Sequence, residues 1–278
     1  INTAQAGFKQ PQSIFALMYI ESLGGEFDMV ITLDGFNEVA LHPRENETKG
    51  IAAIFPRNWY RWAVMSPDEE VLRLRGLSVF HEKQRARRAA FFERSFLYYS
   101  PIANLVWRLL DRAAASEINK AVVALMDYKP EGVAWDTAGP VRPYATGEEM
   151  FADLADIWRR CSRGRDRVCR ADGARYYHFL QPNQYLRGTK RLTAQELDLA
   201  YREDAPYVAA ARAGYPFLQA RGEQLRGEGV SYFDFTHVFD EVDDTLYIDT
   251  CCHFNLEGYR ILGSEIAKLI LEEIDREE

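Results

Sequence analysis

Three short apolar runs, each closed by polar residues or glycine, constrain this chain more than any other feature. They are Phe27 to Leu33 (FDMVITL), Arg175 to Leu180 (RYYHFL) and Val230 to Phe235 (VSYFDF). Runs of this length with little alternation read as strands buried on both faces. Helical patterns stand before or after each. Gln12 to Leu23 reads as an amphipathic helix, and Ala194 to Arg226 as another, broken near Gly214-Tyr215-Pro216. Leu256 to Ile274 reads as the last, with Ile261, Leu262, Ile266, Leu269 and Ile270 on its apolar positions. Strands alternating with helices imply a parallel sheet covered on both faces, the α/β class.

Between the first two strands, about Asn58 to Asp172 carries no convincing strand and reads as a helical insertion within a single domain spanning 1–278. Its segment Phe91 to Leu110 (FFERSFLYYSPIANLVWRLL) is strongly apolar. It reads either as a helix pair packed on the core and split at Pro101, or as a lid or membrane-facing element over an apolar substrate site. The arginine-rich stretch from Arg159 to Arg175 reads as a solvated surface, with an anionic polymer or lipid headgroup as the sharper alternative.

The bulk properties narrow the function classes. With 278 residues and 47% hydrophobic content, the chain is globular in composition rather than disordered. A net charge of −8 argues against a general nucleic-acid binder. No apolar run reaches the ~18 residues that a spanning helix needs. The chain begins at Ile1 rather than Met, so a leader or anchor upstream stays open, and so does the compartment, whether periplasmic, membrane-anchored or cytoplasmic. The cysteines are Cys161, Cys169, Cys251 and Cys252. They lack zinc-type spacing. A Cys161–Cys169 bridge is one possibility, while adjacent Cys251 and Cys252 read as free.

In a parallel α/β sheet, ligands sit at the carboxyl ends of the strands. After the first strand comes Asp34-Gly35-Phe36-Asn37-Glu38. Glycine permits a sharp turn there, and the asparagine amide can donate a neutral hydrogen bond to a developing oxyanion. The plainer reading is a turn built from Asp, Gly and Asn. After the third strand comes Asp249-Thr250-Cys251-Cys252-His253 on a loop feeding the last helix. An aspartate there can orient the imidazole as a general base, although a histidine near a helix start can also merely cap or pack. Gly7, in the loop before the first helix, can present a backbone N–H to an anion. After the second strand, His178 and Gln181-Pro182-Asn183-Gln184-Tyr185 are expected at the rim, with Asn183 or Gln184 as exposed substrate-binding amides or else parts of a proline turn. His42, His81 and His237 have no partner pattern. No cluster has metal spacing, so neither metal nor cofactor is expected.

The order of these pieces resembles the SGNH (GDSL-like) hydrolase family. Gly7 matches the glycine of its second block, and Gly35-Phe36-Asn37-Glu38 matches the Gly-x-Asn-Asp of its third, with Glu in the last place. Asp249 and His253 match the Asp and His of its fifth. The specific matches cover about residues 1–41 and 229–270. The resemblance implies a three-layer α/β/α sandwich with a flavodoxin-like parallel sheet. It also implies an oxyanion hole from the Gly7 N–H and the Asn37 side chain, and a His253 base oriented by Asp249, with Gly35, Asn183 and Gln184 as substrate contacts. Two departures stand out. The family spacing is Asp-x-x-His, so Thr250 takes the aspartate's place unless the loop bulges by one residue. Asp243 and Asp244 are the alternative carboxylates. The family's Gly-Asp-Ser block, on a strand central to its sheet, does not occur in this sequence. That strand and its serine are therefore expected from an upstream segment or a second polypeptide.

The resemblance implies a serine ester hydrolase acting on an O-acyl group of a carbohydrate or on a small lipid ester. Two other readings stay open: a non-catalytic module of the same fold that binds a glycan or a protein, and a structural subunit that docks through the insertion.

Overall fold

A computed structural model describes residues 1–5, 7–54, 69–128 and 142–277. The sheet holds three parallel strands in the order β1 (Met29–Asp34), β2 (Arg175–Leu180) and β3 (Ser231–Asp234). Ile31 pairs with Tyr177, and His178 with Tyr232. The helices in chain order are α1 (Gln12–Ser22), α2 (Phe36–Leu41), α3 (Glu69–Glu93), α4 (Pro101–Asp127), α5 (Gly147–Ala171), α6 (Ala194–Leu199), α7 (Val208–Gly227) and α8 (Leu256–Glu277). The chain forms two compact units. One contains the sheet, and the other comprises residues 48–50 and 58–138 and holds α3 and α4.

The sheet unit is a three-layer α/β/α sandwich. Alternation sends Thr32, His178 and Tyr232 to one face, where α5 and α7 lie. There Arg165 of α5 bonds Thr32, and Gly222 of α7 leaves no room for a Cβ, which would sit 2.0 Å from the Tyr232 ring. Tyr177, Phe179 and Phe233 take the opposite face, where Phe179 stacks on Phe233 with centroids 5.0 Å apart. Buried Leu262 and Ile270 of α8 join the same core. Gly214 of α7 gives similar access to Val39 of α2, whose Cβ would be 2.4 Å from an added methyl.

Three expectations change. The insertion is shorter than Asn58 to Asp172, because α5 belongs to the sheet unit and buries Trp158 completely. Pro216 does not break its helix: α7 runs through it, pinned by buried Tyr215 and Leu218. The break falls at residues 200–207 instead, between α6, capped by Thr193 and Glu196, and the start of α7 just after Pro206. Cys161 and Cys169 are free; eight residues apart on one helix, they stand about 12 Å from each other along its axis, too far to bridge.

Candidate functional site

In β1 the hydrogen bonds to β2 begin at the Asp28 carbonyl and end at that of Asp34. With a period of two, the N–H and C=O groups of Met29, Ile31 and Leu33 point away from β2, along an edge that no other described strand covers. Ile31 is 48% exposed. A groove of about 460 Å³ follows this edge. Its walls are Ile1 to Gln5, the α1 side chains Ser13, Leu17 and Ile20, and the strand itself. Its polar end is formed by Asp34, Gly35, Asn37, Glu38, Arg165 and Gln181.

Two loops meet at that end. Gly7 has φ +76°, a backbone conformation that glycine adopts without strain, and the Phe8 N–H closes the turn on the Gln5 carbonyl at 3.1 Å. Asn37 Nδ2 donates to the Phe8 carbonyl at 2.7 Å. A carboxamide nitrogen carries two N–H groups, and this contact uses one. Buried Glu38 locks the loops together, accepting the N–H of Gly35 at 2.9 Å and of Gln10 at 3.1 Å. Burial, reinforced by the charge of Asp34, pushes the Glu38 carboxyl up to about 8. Burial pulls the neighbouring Lys9 down to about 8 against the opposing charges of Glu38 and Glu45, and its Nζ donates to the Ala53 carbonyl.

Asp34 anchors this end from below. It accepts from Trp158 Nε1 at 2.6 Å and Gln10 Nε2 at 2.8 Å, and lies 2.7 Å from His178 Nε2 and 3.4 Å from the Arg165 guanidinium. Burial alone would raise its carboxyl, but His178, Arg165 and Trp158 together hold it far below the usual carboxylate range. Desolvation lowers His178, against the opposing charge of and hydrogen bond to Asp34. Ser162 Oγ lies 2.7 Å from His178 Nδ1. Ser162, His178 and Asp34 thus form a serine–histidine–carboxylate chain, yet both Ser162 and His178 are fully buried, so no substrate carbonyl reaches the hydroxyl. This chain fastens α5 to the sheet. His178 is therefore not a rim residue. Arg165, expected on a solvated surface, is buried and pairs with the partly buried Asp34. His42 is also buried, while His237 pairs with Asp240 at the surface.

The Asp249 loop lies over the end of β2. Gln184 Nε2 donates to the carbonyls of Asp249 (2.9 Å) and Ala200 (3.0 Å), Tyr185 Oη donates to that of Thr250 (3.1 Å), and Gln181 Nε2 donates to Cys252 Sγ (3.0 Å). Asp249 Oδ2 stands 2.6 Å from His253 Nδ1, while Oδ1 accepts the N–H of Cys251 at 2.8 Å and of His253 at 3.3 Å. Cys252 takes φ +60°, and this left-handed residue absorbs the extra position between aspartate and histidine. Burial raises the Asp249 carboxyl, but the hydrogen bonds from His253 and Cys251 bring it below its ordinary value. Asp243 instead approaches Arg191 at 3.9 Å.

Gly7, Gly35, Asn37, Asp249 and His253 therefore gather at the carboxyl end of the sheet, with Gln181 touching both groups: it lines the groove and holds Cys252. His253 is 60% exposed at its side chain and does not line the groove. Asn183 and Gln184 are buried, contrary to expectation. Their amides serve the backbone, Asn183 Oδ1 accepting the Tyr185 N–H and Gln184 holding the Asp249 loop. Gln181 is the amide of that segment in the groove, and its place immediately after β2 is the signal that marks it. No metal-binding cluster occurs among the described residues. No family model, curated protein or solved structure matches the chain.

Proposed function

We propose that the protein is an SGNH-type serine ester hydrolase acting on an O-acyl carbohydrate or a small lipid ester. The observation that carries this reading is the Asp249–His253 pair at 2.6 Å, at the same end of the sheet as the interlocked Gly7 and Asn37 loops. In this reading a strand laid along the free edge of β1 brings the serine to the polar end of the groove. The serine oxygen attacks the ester carbonyl and His253 takes its proton. The Gly7 N–H and the second N–H of Asn37 stabilise the oxyanion. His253 then protonates the departing alcohol, and water, activated by the same imidazole, releases the acid and restores the serine.

Hydrolysis of a short acyl ester by the native protein tests this. Asn37→Ala is expected to lower kcat about 10²–10³-fold, the usual cost of one oxyanion donor, with the circular dichroism unchanged. His253→Ala is expected to abolish turnover. Wild-type rates in both variants would sink the assignment. The exposed His253, which lies outside the groove lining, favours one alternative, a binding module of the same fold. Tight glycan or peptide binding by an inert protein would select it.

A further inference from the structure

The unit that holds α3 and α4 has its own apolar seam. Val71 and Leu74 of α3 pack on Ala121 and Leu125 of α4, and near the turn Phe92 stacks on Trp107 with centroids 5.6 Å apart. Arg85 and Asp111 pair across the two helices at 2.7 Å. These contacts use one face of each helix. The rest of the turn is apolar and open. Phe96, Tyr99 and Ile102 are 84%, 83% and 76% exposed, and Ile102, Leu105, Val106 and Leu109 repeat at three- and four-residue intervals along one exposed side of α4. A contiguous apolar surface of this kind marks an interaction site rather than ordinary exposure.

The charge around it says which kind. The chain as a whole is acidic, at −8. Between Lys83 and Arg112, however, seven basic residues stand against two acidic ones, and one of those two, Asp111, is already paired with Arg85. Arg87, Arg88, Arg94 and Arg108 are all exposed. Aromatic and aliphatic side chains at a tip, collared by arginine, match a lipid surface: rings and aliphatic chains enter the headgroup boundary while guanidinium groups meet phosphate. No described helix is long and apolar enough to cross a membrane.

We infer that the turn between α3 and α4 docks the protein onto an anionic lipid bilayer, inserting Phe96, Tyr99 and Ile102 and setting Arg87, Arg88, Arg94 and Arg108 against the headgroups. The inference concerns this unit alone and does not depend on the ester-hydrolase reading. Co-sedimentation of the native protein with vesicles tests it, comparing phosphatidylcholine alone with phosphatidylcholine mixed with phosphatidylglycerol. Binding is expected to the mixed vesicles, much weaker to the neutral ones, and reduced by salt. The variant F96S/Y99S/I102S is expected to lose at least tenfold in affinity for both. Arginine-to-glutamine replacements at 87, 88, 94 and 108 are expected to weaken binding to the mixed vesicles about fivefold each, leaving the neutral vesicles unaffected. All of these side chains are exposed, so helix content by circular dichroism should match wild type and separate docking from folding. Absence of binding to the mixed vesicles overturns the inference, as does binding that F96S/Y99S/I102S leaves intact. A dimer in sedimentation velocity that this variant dissociates, with no vesicle binding, assigns the face to a second copy instead.

Discussion

The carboxyl group of Glu38 accepts the backbone N–H of Gln10 at 3.1 Å, across 28 residues of sequence, while its other oxygen accepts the N–H of Gly35 at 2.9 Å. One buried side chain thus fixes the spacing between the Gly7 turn and the loop that carries Asn37.

That arrangement makes stability depend on pH in a defined window. Burial and the neighbouring Asp34 raise Glu38 from an ordinary 4.5 to about 8. Between those two values the folded chain holds a proton that the unfolded chain has released. Glu38 therefore contributes stability that is complete below about pH 4.5 and lost as pH rises through about 8. Glu38→Gln cannot ionise. Urea titrations from pH 5 to 8 should show a falling wild-type midpoint and a flatter one in the variant. Parallel curves would show that Glu38 titrates in its ordinary range.

Asp34 acts in the opposite direction. Its carboxyl is held low by His178, Arg165 and Trp158 against the effect of burial, so its contribution is complete above the ordinary 3.8 and declines as pH falls below that value. Asp34→Asn leaves the Arg165 charge buried without its counter-ion, and breaking such a pair from one side costs about 3–5 kcal/mol. Adding Arg165→Met removes the orphaned charge and should recover part of that loss, giving a non-additive cycle. Equilibrium denaturation of the four proteins measures it. Additive losses would mean that the two groups do not interact.

The sequence makes the layers of this fold legible, but not what lies between them. The strands at Met29, Arg175 and Ser231 and the helices at Gln12 and Leu256 are marked by local signals: short apolar runs, helical periodicity, and polar or glycine breaks. Asn37 and His253, the candidates on which the proposed function rests, draw attention in the sequence because one comes soon after the first strand and the other shortly before the last helix. Cys252 carries no signal of its left-handed turn, which depends on Asp249, Gln181 and Gln184 holding the loop. The Ser162–His178–Asp34 chain is invisible locally, since its members lie far apart in sequence and meet only once α5 docks on the sheet. The same docking explains why Arg165 is buried rather than on the expected surface, whereas Gln184 turns to the backbone carbonyls of Ala200 and Asp249 and Gln181 lines the groove.

Gly35 is a position where only glycine fits, for two separate reasons. Its φ is +134°, and an added Cβ would lie 2.4 Å from Leu180 Cδ1. Gly35→Ala should therefore destabilise the sheet unit by about 2–4 kcal/mol, combining backbone strain with overpacking. Trimming the obstacle separates the two. Adding Gly35→Ala to a Leu180→Ala background, whose own cavity cost is measured in the single variant, removes the steric conflict and leaves the backbone cost. If Gly35→Ala melts at the wild-type temperature, the turn has another conformation available.

The Asp249–His253 pair gives the sharpest functional prediction, because the aspartate has two jobs that a conservative change can separate. Oδ1 secures the loop through the N–H groups of Cys251 and His253, and Oδ2 faces His253 Nδ1 at 2.6 Å. In Asp249→Asn the amide oxygen can still accept the Cys251 N–H, so the loop should persist. The amide nitrogen then faces Nδ1 and donates to it, which forces the ring proton to Nε2, the atom that accepts the serine proton in the proposed reaction. A wrong tautomer of this kind lowers kcat about 10⁴-fold in a serine–histidine–aspartate site. Ester hydrolysis by Asp249→Asn is expected to fall by about that factor, with ring-nitrogen NMR reporting protonation at Nε2. Asp243→Asn, whose carboxylate points toward Arg191, should behave as wild type. If the two variants lose activity equally, or if Asp249→Asn keeps both its rate and the wild-type tautomer, Asp249 does not orient the base.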